Sequence, residues 1–227
     1  MTELKHVTFL IGSTRGLKTT SESMVNYMAD LFDKKGVSSS AFRVPRVCRN
    51  AGTYEDLKSS LLKGQLFFIA APLYLDTPPA AVLELCERLY LENPGPLSGR
   101  RCAAVIHSGY PERVQRDAAL RILRSFALQS GMKWAGGIGF GGTSPIDGTP
   151  LEEAGIFSAN IRACLPQLVE SLLHNEPFSE KLKQRSGRFF FPKLLMPPIL
   201  NRMMKAQAAK YGTQDIFAAP YLAGSGE

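Results

Sequence analysis

The sequence predicts an α/β protein in which helices cover both faces of a five-stranded parallel sheet, and three observations predict it. Short apolar runs alternate with amphipathic helical stretches through about the first 175 residues. One run, Gln65-Leu66-Phe67-Phe68-Ile69-Ala70-Ala71, is apolar without alternation, as a strand buried on both faces requires. A loop rich in glycine and hydroxyls, Gly12-Ser13-Thr14-Arg15-Gly16, separates the first apolar run from the first helix. Parallel sheets present their ligand-binding loops at such places.

Taken in order, His6-Val7-Thr8-Phe9-Leu10-Ile11 is the first strand. The helix after it starts near residues 19–21. Over residues 22–35, Met24, Tyr27, Met28, Leu31 and Phe32 recur at helical spacing, and Gly36 is its stop. Residues 37–44 form a second strand and residues 54–63 a second helix. The apolar run 65–71 is the third strand, followed by a helix over 79–90, a strand over 101–107 and a helix over 113–130. Residues 132–140 are a glycine-rich fifth strand, and residues 151–174 are long enough for a final helix. There is no internal repeat.

A chain of 227 residues with 44% hydrophobic content buries a sizeable core, and it reads as one domain, residues 1–177, with an extension, residues 178–227. Its first residues lack the basic and apolar segments of a secretory signal. No apolar run approaches the roughly 18 residues that span a bilayer. Cys48, Cys86, Cys102 and Cys164 lie far apart, without C-x-x-C spacing or a neighbouring His. This argues against zinc, iron–sulfur clusters and a disulfide framework, and fits a cytoplasmic protein with reduced thiols.

The net charge of +7 is unevenly spread. Residues 181–210 hold Lys181, Lys183, Arg185, Arg188, Lys193, Arg202, Lys205 and Lys210 and no acid, a segment of +8 that leaves −1 for the rest. The body is therefore expected to be near neutral and the tail basic. The tail also carries Phe189-Phe190-Phe191-Pro192 and Leu194-Leu195-Met196-Pro197-Pro198-Ile199-Leu200. It can wrap the domain or a dimer partner, form a lid that attracts nucleotide phosphates, or touch an anionic membrane weakly. The prolines stop any helix before about Ile199, which counts against a membrane helix. No groove-reading motif accompanies the charge, so nucleic acid is not expected as a partner.

The spacing of the first loop matches neither named phosphate pattern. A dinucleotide fingerprint needs G-x-G-x-x-G and a Walker A loop needs G-x-x-x-x-G-K-[ST], whereas Gly12 is followed by Gly16 and then Leu17. Glycine freedom, the hydroxyls of Ser13, Thr14, Thr19, Thr20 and Ser21, and the free N–H groups of a helix start suit a single phosphate monoester. An ordinary helix cap uses the same residue types, so the loop alone leaves both readings open. The loops after strands one, three and four belong together at one sheet edge, and the latter two supply Tyr74 and Tyr110 with exposed backbone amides, suited to a flat aromatic ring.

The chain resembles the flavodoxin-like NAD(P)H-dependent FMN reductases and related NAD(P)H oxidoreductases. Gly12-Ser13-Thr14-Arg15, with the hydroxyl of Thr20 ahead of a helix, is similar to their G-S-x-R phosphate loop. Pro72-x-Tyr74, Pro79-Ala80, Val82, Cys86 and Glu87-Arg88 resemble their second signature stretch, and the likeness covers roughly residues 5–175. It implies a flavodoxin-like doubly wound sheet of order 2-1-3-4-5, here with a basic C-terminal helical extension. It also implies FMN, its phosphate on Ser13, Thr14, Arg15, Thr20 and Ser21, with Thr19 as an alternative. The ring would lie along Pro72, Leu73, Tyr74, Leu75 and Asp76, with Ser108, Gly109 and Tyr110, and Glu112 beyond them, on the other side. Arg15 would meet the FMN phosphate or the pyrophosphate of an incoming nucleotide.

The implied activity passes a hydride from NADPH or NADH through FMN to a small organic acceptor, such as a quinone or free flavin, in a ping-pong cycle. Backbone N–H groups of residues 73–77 would stabilise negative charge on the ring. No conventional acid–base residue is required, and His107 and Tyr74 are the only proton sources considered, His107 as a structural residue outside the site. A homodimer is expected by the same resemblance. The alternative is an FMN-bound electron carrier or binding protein, which the near-neutral body counts against because such carriers are usually acidic.

Overall fold

Residues 3–92, 97–188, 196–210 and 212 are described in a computed structural model of the chain. It divides into two compact units, Met1–Phe189 and Phe190–Glu227. In the first unit, β1 (His6–Ile11), β2 (Ser38–Arg43), β3 (Leu66–Pro72), β4 (Arg101–His107) and β5 (Lys133–Phe140) form a parallel sheet of order β2-β1-β3-β4-β5. This is the flavodoxin-like fold, with the strand order expected.

Burial explains the sequence of each strand. β3 lies at the centre, and its residues 66–71 are buried on both faces, which accounts for the unbroken apolar run. β2 lies at an edge, and its Ser38-Ser39-Ser40 start leaves it exposed or half-buried throughout. β5 lies at the other edge and is thinned by glycine where neighbours press close. A Cβ on Gly136 would stand 2.6 Å from the Phe178 ring, and one on Gly139 would stand 3.0 Å from the Arg116 side chain.

Two cores follow from the two faces. On one, Phe9, Ile11, Phe68, Ala70 and Val105 meet α1 (Thr20–Asp33) and α6 (Gly155–His174). The stripe read from the sequence holds here, since Met24, Met28 and Phe32 are buried and Tyr27 and Leu31 pack against the core. On the other face, Leu10, Phe67, Ile69 and Ala71 meet α3 (Ala51–Lys63), α4 (Ala80–Glu92) and α5 (Arg113–Gln129). Among the described residues no helix is long and apolar enough to cross a membrane.

Several details depart from the sequence reading. A short helix, α2 (Val44–Arg49), follows β2 directly, with Pro45 in its first turn, where the missing N–H costs nothing. α6 begins at Gly155 rather than at residue 151, because residues 151–154 form a turn. The expected boundary after residue 177 falls inside the first unit. Phe178, and Leu182 of α7 (Glu180–Ser186), are buried members of the α1 and α6 core.

That boundary also redistributes the charge. Residues 190–227 hold four Lys or Arg and two acids, a net +2, which leaves +5 on the first unit rather than near neutrality. Lys181, Lys183, Arg185 and Arg188 all belong to the first unit. In the second unit α8 (Met196–Lys210) starts three residues before the point expected, with Pro197 and Pro198 accommodated in its first turn. The apolar residues 189–195 lie outside the described residues.

Phe178→Ala removes the ring that covers Gly136 at the β5 edge. The expected loss is about 3–5 kcal/mol of unfolding free energy, as for buried Phe→Ala elsewhere, read from the guanidinium midpoint. An unchanged midpoint would show that the segment after α6 is a detachable tail.

Candidate functional site

The C-terminal ends of β1, β3, β4 and β5 surround one pocket of about 270 Å³, lined by Ser13, Arg15, Thr19, Thr20, Pro72, Leu73, Tyr74, His107, Ser108, Gly109, Thr143, Ser144 and Asp147. Eight of the thirteen residues read from the sequence are among them. Thr14, Ser21, Leu75, Asp76 and Tyr110 are not.

The first wall is the loop from β1 to α1. Its N-terminal glycine is there for packing: the Gly12 N–H donates to Ala70 O at 2.7 Å, and a Cβ would stand 2.6 Å from Ala71 Cβ and 3.0 Å from Val82 Cγ2. Gly16 faces open space. Neither glycine has a left-handed backbone. That conformation falls on Lys18 (φ 58°), whose N–H is held by Glu22 Oε2 at 2.9 Å. Thr19 is the N-cap of α1, its hydroxyl accepting from Glu22 N at 3.3 Å. The first N–H groups of α1, which have no acceptor in the helix, thus start at the pocket wall beside Thr19 and Thr20.

The hydroxyls of this loop divide by function. Ser13, Thr19 and Thr20 line the pocket. Thr14 instead meets the Tyr74 hydroxyl at 3.1 Å and ties the first wall to the second. Ser21 is fully buried, with its Oγ 2.7 Å from His107 Nε2. Its hydroxyl is therefore spent on His107 rather than turned to the pocket.

The second wall, residues 72–77, closes on itself. Tyr74 N donates to Thr77 O at 2.9 Å and Thr77 N to Tyr74 O at 3.3 Å, while Leu73 N donates to His107 O at 2.7 Å. Leu75 sits at the tip with φ 56° and is 88% exposed. Of the backbone donors expected from residues 73–77, that of Leu73 is taken by β4 and those of Tyr74 and Thr77 by each other's carbonyls, which leaves Leu75 and Asp76. The downstream part of this signature is structural. Val82 and Cys86 are core residues of α4, and Arg88 stacks 3.6 Å from the centroid of the Tyr54 ring and bonds Glu92.

The third wall hangs from a buried guanidinium. Arg116 in α5 is fully buried, and its Nη1 donates to Ser108 Oγ and to Tyr110 O, both at 3.0 Å, with Nη2 reaching Pro111 O at 3.3 Å. It makes no ion pair with a described residue. Gly139 and Gly141 make room for it, since a Cβ on either would stand 3.0 or 2.8 Å from its side chain. Burial lowers its pKa, yet an arginine stays charged across the working pH range. Tyr110 meets this anchor through its carbonyl and is itself 66% exposed.

Behind these walls runs a buried polar chain. Thr143 Oγ1 donates to Ser108 O at 3.1 Å and so accepts from His107 Nδ1 at 3.2 Å, which leaves His107 Nε2 to accept from Ser21 Oγ. Burial lowers the His107 pKa to about 3 and keeps its ring neutral. His107 lines the pocket, but as a fixed hydrogen-bonding group.

The fourth wall is the loop after β5, which lies outside the three loops, after strands one, three and four, that the sequence groups at one edge. The signal was available in Gly141-Gly142-Thr143-Ser144-Pro145, a turn-rich string at the same end of the sheet. Thr143 N donates to Ser108 O at 3.0 Å, Gly109 packs against Ser144 Oγ, and Asp147 Oδ1 lies 2.5 Å from Arg15 Nη2. Among the described residues no cluster of three His, Cys, Asp or Glu is arranged to hold a metal ion.

No protein-family model matches the chain, and no curated protein matches it in sequence. Solved structures do share the fold. A Klebsiella pneumoniae protein assigned as a quinone reductase superposes with a TM-score of 0.60 at 16% identity over 87% of this chain and 95% of its own. RosB, solved with 8-demethyl-8-formylriboflavin-5'-phosphate bound, gives 0.58 at 14% identity over 95% of this chain and 90% of its own. An NADH:FMN oxidoreductase in its apo form gives 0.57 at 11% identity over 79% of this chain and 94% of its own. The likeness defines the class of fold, a flavodoxin-like α/β sheet.

Two outcomes test the account of the walls. Gly12→Ala should cost about 1–3 kcal/mol through overpacking against β3, and Gly16→Ala should leave urea stability unchanged. Equal effects would show that Gly12 does not seat the loop. His107 is depressed to about 3 in the fold and returns to about 6.5 on unfolding, so the unfolded chain binds one more proton between those values. Stability is then complete above about pH 6.5 and falls on acidification, steeper in wild type than in His107→Gln by about 1.4 kcal/mol per pH unit. Parallel profiles would show an exposed imidazole.

Proposed function

We propose that the chain is an FMN-dependent NAD(P)H oxidoreductase that reduces a small organic acceptor, a quinone, free flavin or similar compound, in a ping-pong cycle. The observation that carries this reading is the convergence of a helix N-terminus, three hydroxyls and Arg15 on one side of the pocket, with the Tyr74 wall facing them. The donor set fits a phosphate monoester: Ser13, Thr19, Thr20 and the start of α1 would hold it, with Arg15 as the charge partner. Pro72, Leu73, Tyr74, Leu75 and Asp76 on one side, and Ser108, Gly109 and Tyr110 on the other, would flank the ring. Thr14 and Ser21 would act through Tyr74 and His107.

When bound, FMN supplies the redox chemistry, taking two electrons from NADPH or NADH and giving them to the acceptor. The protein's part is placement and charge. Arg116 sets the backbone of residues 108–111, and Leu75 and Asp76 offer the remaining amides of the second wall. A neutral His107 with both ring nitrogens engaged is consistent with a site that needs no acid or base of its own. Fold likeness to quinone and FMN reductases supports the same reading by analogy. A homodimer acting in the cytoplasm belongs to it too.

The test is spectroscopic. Protein purified with excess FMN should be yellow and should bleach when NADPH or NADH is added without air, and Ser13→Ala with Arg15→Ala should weaken FMN binding while the circular dichroism spectrum is unchanged. Colourless protein that takes up no FMN would end the flavin reading. A yellow protein that neither nucleotide bleaches would be a carrier.

A further inference from the structure

Among the described residues lining the pocket, Arg15 is the only Lys or Arg, and it is already engaged. Its Nη2 lies 2.5 Å from Asp147 Oδ1 and 3.5 Å from Lys18 O. Asp147 is held there by the backbone. Asp147 (φ 40°) and Gly148 (φ 82°) take consecutive left-handed conformations, and Gly148 packs so closely on the Lys18 carbonyl that a side chain would overlap it. Ile146, fully buried, anchors the turn, with Ile146 N bonded to Thr143 O at 3.1 Å and Thr149 N to Ile146 O at 2.8 Å. The turn thus fixes the Asp147 backbone against the first loop, aspartate being among the residues that accept a left-handed conformation.

We infer that Asp147 is a specificity-determining residue that competes with the ligand's phosphate for Arg15, so that the site holds a phosphate monoester less tightly than its donors allow. The inference rests on the phosphate reading of the first loop given above. A phosphate monoester brings a charge of about −1.5 to −2 and needs the guanidinium that Asp147 occupies. Both partners are largely exposed, at 59% and 67%, so the pair is screened by water and exchanges readily. The consequence is graded rather than absolute. Affinity for every ligand that uses Arg15 is lowered, affinity for the same ligand without its phosphate is untouched, and FMN is kept exchangeable.

The experiment titrates inorganic phosphate, FMN and riboflavin into wild type, Asp147→Asn, Arg15→Ala and the double variant, at low and high salt. Asn tolerates the left-handed backbone, so the turn is preserved. Asp147→Asn should tighten phosphate and FMN by about two- to five-fold, with riboflavin unchanged and the gain smaller at high salt. The gain should vanish when Arg15 is Ala. The inference is overturned if Asp147→Asn leaves both anions unchanged or weakens them, if riboflavin gains equally, if the gain persists without Arg15, or if neither anion binds either protein. If phosphate binds and responds as expected while neither flavin binds, the competition stands and the flavin reading falls.

Discussion

Gly12 has no side chain, and the edge of the sheet that carries the pocket is assembled around that fact. The residue follows β1, pairs with Ala70 of β3 through its N–H, and leaves a gap that Ala71 and Val82 fill. The first loop is thereby pressed against the third strand, close enough for Thr14 to meet Tyr74. The sheet register carries the arrangement onward, because Pro72 stands opposite His107 and His107 opposite Phe140. Four loops from distant parts of the chain meet because adjacent parallel strands end at the same level. A side chain at position 12 would push the first loop outward and separate the groups proposed to hold a phosphate from those proposed to flank a ring.

The architecture was legible because its cause is periodicity. The unbroken apolar run of β3, the 3.6-residue stripe of α1 and the turn residues between them each depend on a short stretch of chain, and short stretches can be read without knowing what packs on them. Two features were invisible for the opposite reason. Phe178 looks like an exposed aromatic in a basic tail until Gly136 is seen to leave a place for its ring, and the two are far apart in sequence. Asp147 looks like one acid in a turn-rich loop until the Gly148 turn is seen to rest on Lys18.

The candidate site shows the same split within a single motif. Residue type correctly marked the first loop as a cluster of hydroxyls, but type does not say which way a hydroxyl points. Ser13, Thr19 and Thr20 face the pocket, Thr14 faces Tyr74, and Ser21 faces His107. The glycines divide in a similar way. Glycine as a residue type suggests backbone freedom, whereas Gly12 is required by contact, Gly16 by nothing nearby, and the left-handed residue is Lys18. Close approach and unusual φ are separate reasons for a glycine, and a sequence pattern alone does not separate them.

The cations around the pocket differ in how they answer to solution conditions. Arg15 is exposed and paired, so its charge is shared with Asp147 and weakened by dissolved ions. Arg116 lies beneath the third wall with carbonyls and one hydroxyl for partners, where neither salt nor ordinary changes of pH reach it. The site therefore has a permanent electrical bias and an adjustable one. The first belongs to the fold itself, and the second to the loops that a ligand would touch.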